Sequence, residues 1–206
     1  MKTSAKGLVA VLIPAVALAF GDKDDERKFE PGAASSYATR QTNQKVTVAA
    51  VPFTTDDQTR AAFGKHNPYQ YGILPVLVVI QNDKDEPVRM SALQAEFMLA
   101  DGRHIEAIPP RDVPNTLAHG PKDGTSLPGN GPRLPFPTPK KKNPLLGANL
   151  EGRAFVAPML LPHESAYGFF YFQTRLFPGA KLYLSGLQAA RSGEGVVFFE
   201  VPLEEK

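Results

Sequence analysis

The chain has 206 residues, with 23 Lys and Arg against 21 Asp and Glu, 20 prolines, no cysteine and no tryptophan. The missing cysteine excludes a disulfide framework, a thiol nucleophile, a thiolate metal site and a lipid-modified cysteine behind a leader. The near balance of charge gives no global pull towards nucleic acid or anionic lipid, so no nucleic-acid partner is expected.

Lys2 and Lys6 precede an uncharged, mostly apolar run from Gly7 to Phe20, and Ala17-Leu18-Ala19 supplies a small-x-small pattern. These are the three parts of a secretory signal peptide, expected over residues 1–19. A membrane-spanning helix needs about 20 apolar residues. This run is shorter, contains Pro14, and gives way at once to the charged stretch Gly21–Lys28. The protein is therefore expected to be exported, periplasmic or extracellular, and not membrane-spanning after cleavage; a retained anchor is the alternative. Removing the leader takes two lysines and no acid, which leaves basic and acidic residues equal in number.

Residues 20–43 are polar and poor in large apolar groups, a composition that reads as a flexible linker. The folded domain is expected over 44–206, starting with a β-prone run at Val46, Val48 and Val51. Thr55-Asp56-Asp57-Gln58 has the capping-box pattern, and Gly64 is a stop, so a turn or two of helix is expected between them. The Asp pair then belongs to helix capping rather than to a catalytic dyad. Leu74–Ile80 (LPVLVVI) is apolar on both alternate faces, as a strand buried between two layers requires.

Asn82–Pro87 is a turn cluster leading to Val88–Met90, and strands over Leu93–Leu99 and Arg103–Ile108 flank Asp101-Gly102, a two-residue hairpin signal. That turn sets Phe97 opposite Glu106 and Leu99 opposite His104, which calls for a bulge or a polar end to the sheet. From Pro109 to Gly147 prolines are dense, and a long Pro/Gly-rich surface insertion is expected over 112–148, with helical turns near Val113–Ala118 and Pro144–Glu151. Strands then resume at Met159–Leu161, Tyr167–Phe172, Lys181–Leu187 and Val196–Val201. Phe177-Pro178-Gly179-Ala180 suits a type II turn. Eight or nine short strands with little helix favour a β-sandwich.

The stretch Tyr71–Asn82 followed by Glu86-Pro87-Val88 and the Asp101-Gly102 hairpin resembles bacterial exported immunoglobulin-like domains, in which a pV-x-V-x-I-x-N strand runs into x-x-P-V and then a strand ending in DG. Leu160–Phe172 is similar to their L-x-P-G-x-S-x-x-G-F-x-F segment, with His163 in place of the usual Gly. The resemblance covers about Leu74–Ile108 and Met159–Leu203. It implies an all-β, immunoglobulin-like antiparallel β-sandwich interrupted by the insertion and carrying one or two short helices. Its motifs are sheet and turn chemistry and specify no ligand.

The search for chemistry yields little. The four histidines, at 66, 104, 119 and 163, lack the spacing of a helical or hairpin metal site. His104 and Glu106 would share a strand face and could reach one ion, although a polar hairpin edge is the better explanation. Leu184-Ser185-Gly186 lacks the first glycine of a nucleophile elbow. Asp22, Asp24, Asp25 and Glu26, and separately Asp83, Asp85 and Glu86, do not match a dedicated calcium loop.

Two features suggest contact with a partner. Pro132–Lys142 alternates prolines and ends in three lysines, an extended segment that would present Arg133, Phe136, Lys140, Lys141 and Lys142. Phe169–Phe172 and Phe198-Phe199 are aromatic runs, of which Phe169, Tyr171 and Phe198 would lie on an outer face unless the insertion covers it. The sequence reading is an exported, non-catalytic binding or assembly module of the cell envelope, without cofactor, its partner an envelope protein or polysaccharide. The alternatives are a metal-dependent or carboxylate-based enzyme using His104, Glu106 and His163, and a carbohydrate-binding sandwich, which the missing tryptophan disfavours.

Overall fold

A computed structural model describes residues 29–116, 143–191, 193, 195 and 198–204. The expected signal peptide, most of the Pro-rich segment and Val196-Val197 lie outside the described residues. In chain order the elements are β1 (Arg40–Asn43), β2 (Val46–Pro52), α1 (Asp56–Phe63), β3 (Leu74–Asn82), β4 (Val88–Arg89), β5 (Gln94–Met98), β6 (His104–Glu106) and α2 (Val113–Thr116). They continue with α3 (Leu150–Arg153), β7 (Met159–Leu160), β8 (Ser165–Phe172), β9 (Lys181–Ser185), β10 (Gln188–Ala189) and β11 (Phe199–Pro202). Short 3-10 turns add Ala34–Ser36 and Pro68–Tyr71.

The fold is all-β, built from three antiparallel sheets in the orders β1-β2-β3-β8, β11-β9-β5-β6 and β10-β4-β7. Alternation along β3 decides the layering. Leu74, Val76, Val78 and Ile80 turn to one side and meet Ala95 and Phe97 of β5, Leu182 and Leu184 of β9, and Phe199 and Val201 of β11. Leu77 and Val79 turn to the other side, into a second core with Phe169, Tyr171 and the α1 residues Ala62 and Phe63. The doubly apolar run thus has two buried faces, as its composition requires. Each fully buried Leu, Ile or Phe contributes about 1.5–3 kcal/mol relative to exposure.

α1 starts where the sequence places it. The Thr55 side chain accepts from the Gln58 N–H, the Gln58 side chain caps the Thr55 N–H, and Gly64 ends the helix. Asp56 accepts from the side chains of Asn67 and Gln70, which fixes the following turn.

Three expectations are corrected. Residues 29–43, expected inside the flexible linker, belong to the fold. Phe29 packs its ring on Phe53 and Phe169, Ala34 is fully buried, and β1 pairs with β2 through the tight turn Gln44-Lys45, both at positive φ. That turn carries no glycine, so nothing in its composition announces a primed hairpin. The second correction concerns the Asp101-Gly102 hairpin, whose loop has three residues. Leu99 N–H donates to Arg103 O, Gly102 adopts φ +85, and Phe97 faces Ile105 while Glu96 faces Glu106. A one-residue slip would have put Ile105 in solvent, and the glycine in the left-handed region absorbs the extra residue. Third, the described α-helices number three and the strands eleven, because several sheet segments are only two residues long.

The stems of the insertion also answer the question of the outer aromatic face. Val113 before it and Leu145 and Leu150 at its end are buried in the second core beside Phe169 and Tyr171.

Candidate functional site: a cleft at the open edge of the sheets

After β6 the chain changes sheets. Ala107 N–H still bonds Ala95 O of β5 at 3.2 Å, whereas Ile108 N–H bonds Tyr171 O of β8 at 2.7 Å. A second segment approaches β8 from the other direction, with Phe155 N–H donating to Phe169 O at 3.1 Å and Ala154 bridging Phe169 in parallel. This approach depends on Gly168, where an added Cβ would lie 2.4 Å from the Phe155 Cα.

Between the two crossing segments the sheets part, leaving a cleft of about 350 Å³. Leu93 and Ala95 line it from β5 and its approach, Phe170 from β8, Pro109 from the crossing segment, and Phe155 from the opposite one. The Phe155 and Phe170 rings stack at 5.6 Å and 15°. The volume is at the lower end of small-ligand sites, and the lining mixes polar and apolar surface.

Glu96 and Glu106 border the cleft, but their alternation with the inward-facing Ala95, Phe97 and Ile105 turns their side chains to the outer face of the sheet. They are direct cross-strand partners, flanked by the hydrogen-bonded pairs 97/105 and 95/107. They therefore occupy a non-hydrogen-bonded position, where Cα atoms come within about 4.5 Å. Like charges in that position repel. Glu96 Oε2 is held by His104 Nδ1 at 2.5 Å, and the His104 ring meets the edge of Tyr183 at 5.7 Å. Tyr183 in turn stacks on Phe198 at 5.4 Å, so three rings cross the outer face of the second sheet. Lys181 on that face is engaged by Glu200 at 2.8 Å.

The structure sorts the sequence candidates. Phe169 and Tyr171 are buried, not on an open face, because the insertion stems, α1 and Phe29 pack over them. The Tyr171 hydroxyl donates to Leu150 O at 2.8 Å, and burial pushes its pKa up. Phe198 is 46% exposed, as the alternation of β11 requires. Arg133, Phe136, Lys140, Lys141 and Lys142 lie outside the described residues. His104 and Glu106 do share the outer face, but the imidazole turns to Glu96. His163 sits at φ +60 before β8 and pairs with Asp85 at 3.3 Å. It precedes Ser165, and Ser165 to Tyr171 alone spans about 20 Å of strand at about 3.3 Å per residue. The three residues of the enzyme alternative are not brought together. No group of three or more His, Asp or Glu able to hold a metal occurs among the described residues.

The cleft residues Leu93, Phe155 and Pro109 carry no motif. They become neighbours only because two separate segments reach the same edge of β8. Glu96 was legible only through the hairpin register, which the three-residue loop shifts.

No family model matches the chain. No curated protein matches it either. A crystal structure of a Northeast Structural Genomics Consortium target aligns over 79% of this chain and 84% of its own length, at 12% identity and a TM-score of 0.33. That similarity is too low to transfer fold or function. Among the described residues no helix is long and apolar enough to cross a membrane.

Proposed function

We propose that the protein is an exported, non-catalytic binding module of the cell envelope, built on an immunoglobulin-like sandwich, and that it binds through the edge cleft. The leader pattern of residues 1–19 supports export. The facing four-stranded sheets and the Leu160–Phe172 segment support the immunoglobulin-like assignment. The observation that carries the binding role is the cleft itself, an opening of about 350 Å³ with mixed polar and apolar lining and a stacked Phe155–Phe170 pair. Apolar area left open in this way is what a ligand would cover.

The reading is tested on isotope-labelled protein lacking residues 1–19, titrated with hexanol and followed by amide chemical shifts. Shifts confined to Ala95, Ala107, Phe155 and Phe170, and their loss when Ala107→Trp fills the opening, support it. Shifts scattered over the surface, or none, overturn it. Export is tested separately by expressing the full chain in a bacterial host and weighing the secreted product, where cleavage near Ala19 is expected.

A further inference from the structure

We propose that the free edge of β6 takes a further strand in antiparallel pairing, an extended segment of a partner polypeptide with a lysine or arginine opposite Glu106. This surface is distinct from the cleft. β6 ends the sheet order β11-β9-β5-β6. Its ladder with β5 runs from Arg103, whose carbonyl accepts from Leu99 N–H, to Ala107, whose N–H donates to Ala95 O. The residues bonded to β5 are the odd-numbered ones, so antiparallel alternation turns the N–H and C=O of His104 and Glu106 outward. Among the described residues those groups have no hydrogen-bond partner.

Other edges are guarded. Across the same sheet, Glu200 N–H is taken by the Gln41 side chain at 2.7 Å, and Pro202 has no N–H to offer. In the first sheet, Phe155 and Ile108 occupy the carbonyls of Phe169 and Tyr171 along β8. β6 has neither device, and no proline falls between Arg103 and Ile108. Unpaired donors and acceptors at strand spacing are matched by another extended backbone.

The side chains narrow the choice. Partner residues opposite His104 and Glu106 would share their outer face, and the residue between them would lie beside Ile105 on the apolar face. Glu106 faces Glu96 across the ladder, and His104 engages only Glu96. The neighbouring cations Arg103 and Lys181 are held by Asp101 and Glu200, each at 2.8 Å. A basic side chain opposite Glu106 would offset the repulsion. A second copy would instead bring another Glu96, Glu106 and His104, adding more acid than base to the edge.

The probe is acetyl-Val-Lys-Val-Thr-Val-amide, followed by amide shifts on labelled protein lacking residues 1–19. The antiparallel register sets its Lys opposite Glu106, its central Val opposite Ile105 and its Thr opposite His104. Shifts are expected at those three residues of β6. Backbone N-methylation at Lys or Thr, whose N–H groups would face β6, should weaken binding about tenfold or more. N-methylation at the central Val, whose N–H points away, should leave binding nearly unchanged. Replacing Lys by Glu should weaken binding at low salt, a difference that shrinks as salt rises and in Glu106→Gln. Glu106→Pro removes an outward N–H and no internal bond, so it should abolish binding with the melting temperature maintained. Equal loss from either N-methylation, shifts away from β6, or no binding overturns the proposal. Shifts of β6 amides that grow with protein concentration, without peptide, assign the edge to a second copy and overturn it as well.

Discussion

The phenol of Tyr171 donates a hydrogen bond to the carbonyl oxygen of Leu150 at 2.8 Å, tying the end of β8 to the start of α3 inside the second core. Removing the hydroxyl leaves a buried carbonyl without that donor, at a cost of about 1–3 kcal/mol. Tyr171→Phe keeps the ring stacked beside Phe169. It should lower the urea midpoint without changing the slope of the transition.

The same phenol sets an alkaline limit. Its ordinary pKa is 10.0, and burial raises it in the fold. A group whose folded pKa lies above its unfolded value contributes stability that is complete below the unfolded pKa and declines as pH rises past it. The stability curve should therefore bend down above about pH 10. The bend should be shallower in Tyr171→Phe. Tyr37, whose phenol is also raised by burial, accounts for part of the remaining slope.

Asn82, at the end of β3, is fully buried and holds the following turn together. Its Nδ2 donates to Glu86 O at 2.9 Å and Leu161 O at 3.1 Å, and its Oδ1 accepts from Lys84 N–H at 3.1 Å. Asn82→Ala strands these backbone groups and should cost about 2–4 kcal/mol in denaturant unfolding. Asn82→Asp should be worse, since a carboxylate would face two carbonyl oxygens.

Two glycines at positive φ should respond very differently to alanine. At Gly186, φ +86, an added Cβ would lie 1.9 Å from the Ala92 carbonyl oxygen, so the turn after β9 must move. Gly186→Ala should cost more than about 3 kcal/mol, combining backbone strain with overpacking. At Gly102, φ +85, the same Cβ meets open space. Gly102→Ala should cost only about 1 kcal/mol. Melting temperatures of the two variants check the contrast.

These sites also show what the sequence could convey. Local rules were legible. Thr55 and Gln58 announced their capping box, Phe177–Ala180 its turn, with Gly179 at φ +73, and Leu74–Ile80 its two buried faces. Residues 29–43 were misleading because their few apolar side chains are small or scattered. Phe29 and Ala34 find partners only after Phe53 and Phe169 have been placed by other strands. The cleft was the least legible feature. Phe155 and Phe170 stack because two chain segments meet at one edge of β8, a relation that no spacing records. The glutamate pair was obscured by one residue, since a two-residue turn at Asp101-Gly102 would have set Phe97 rather than Glu96 against Glu106.

Placing β3 between two apolar layers has a kinetic consequence. Its backbone amides have no surface from which to fray, and Leu77 and Val78 belong to different cores while being adjacent in the chain. Neither layer can loosen far without exposing a face of the same strand. Amide hydrogens along β3 should therefore exchange only through global unfolding, while those of the two-residue strands β4 and β10 exchange through local opening. The strand acts as a shared wall that merges two cores into one cooperative unit.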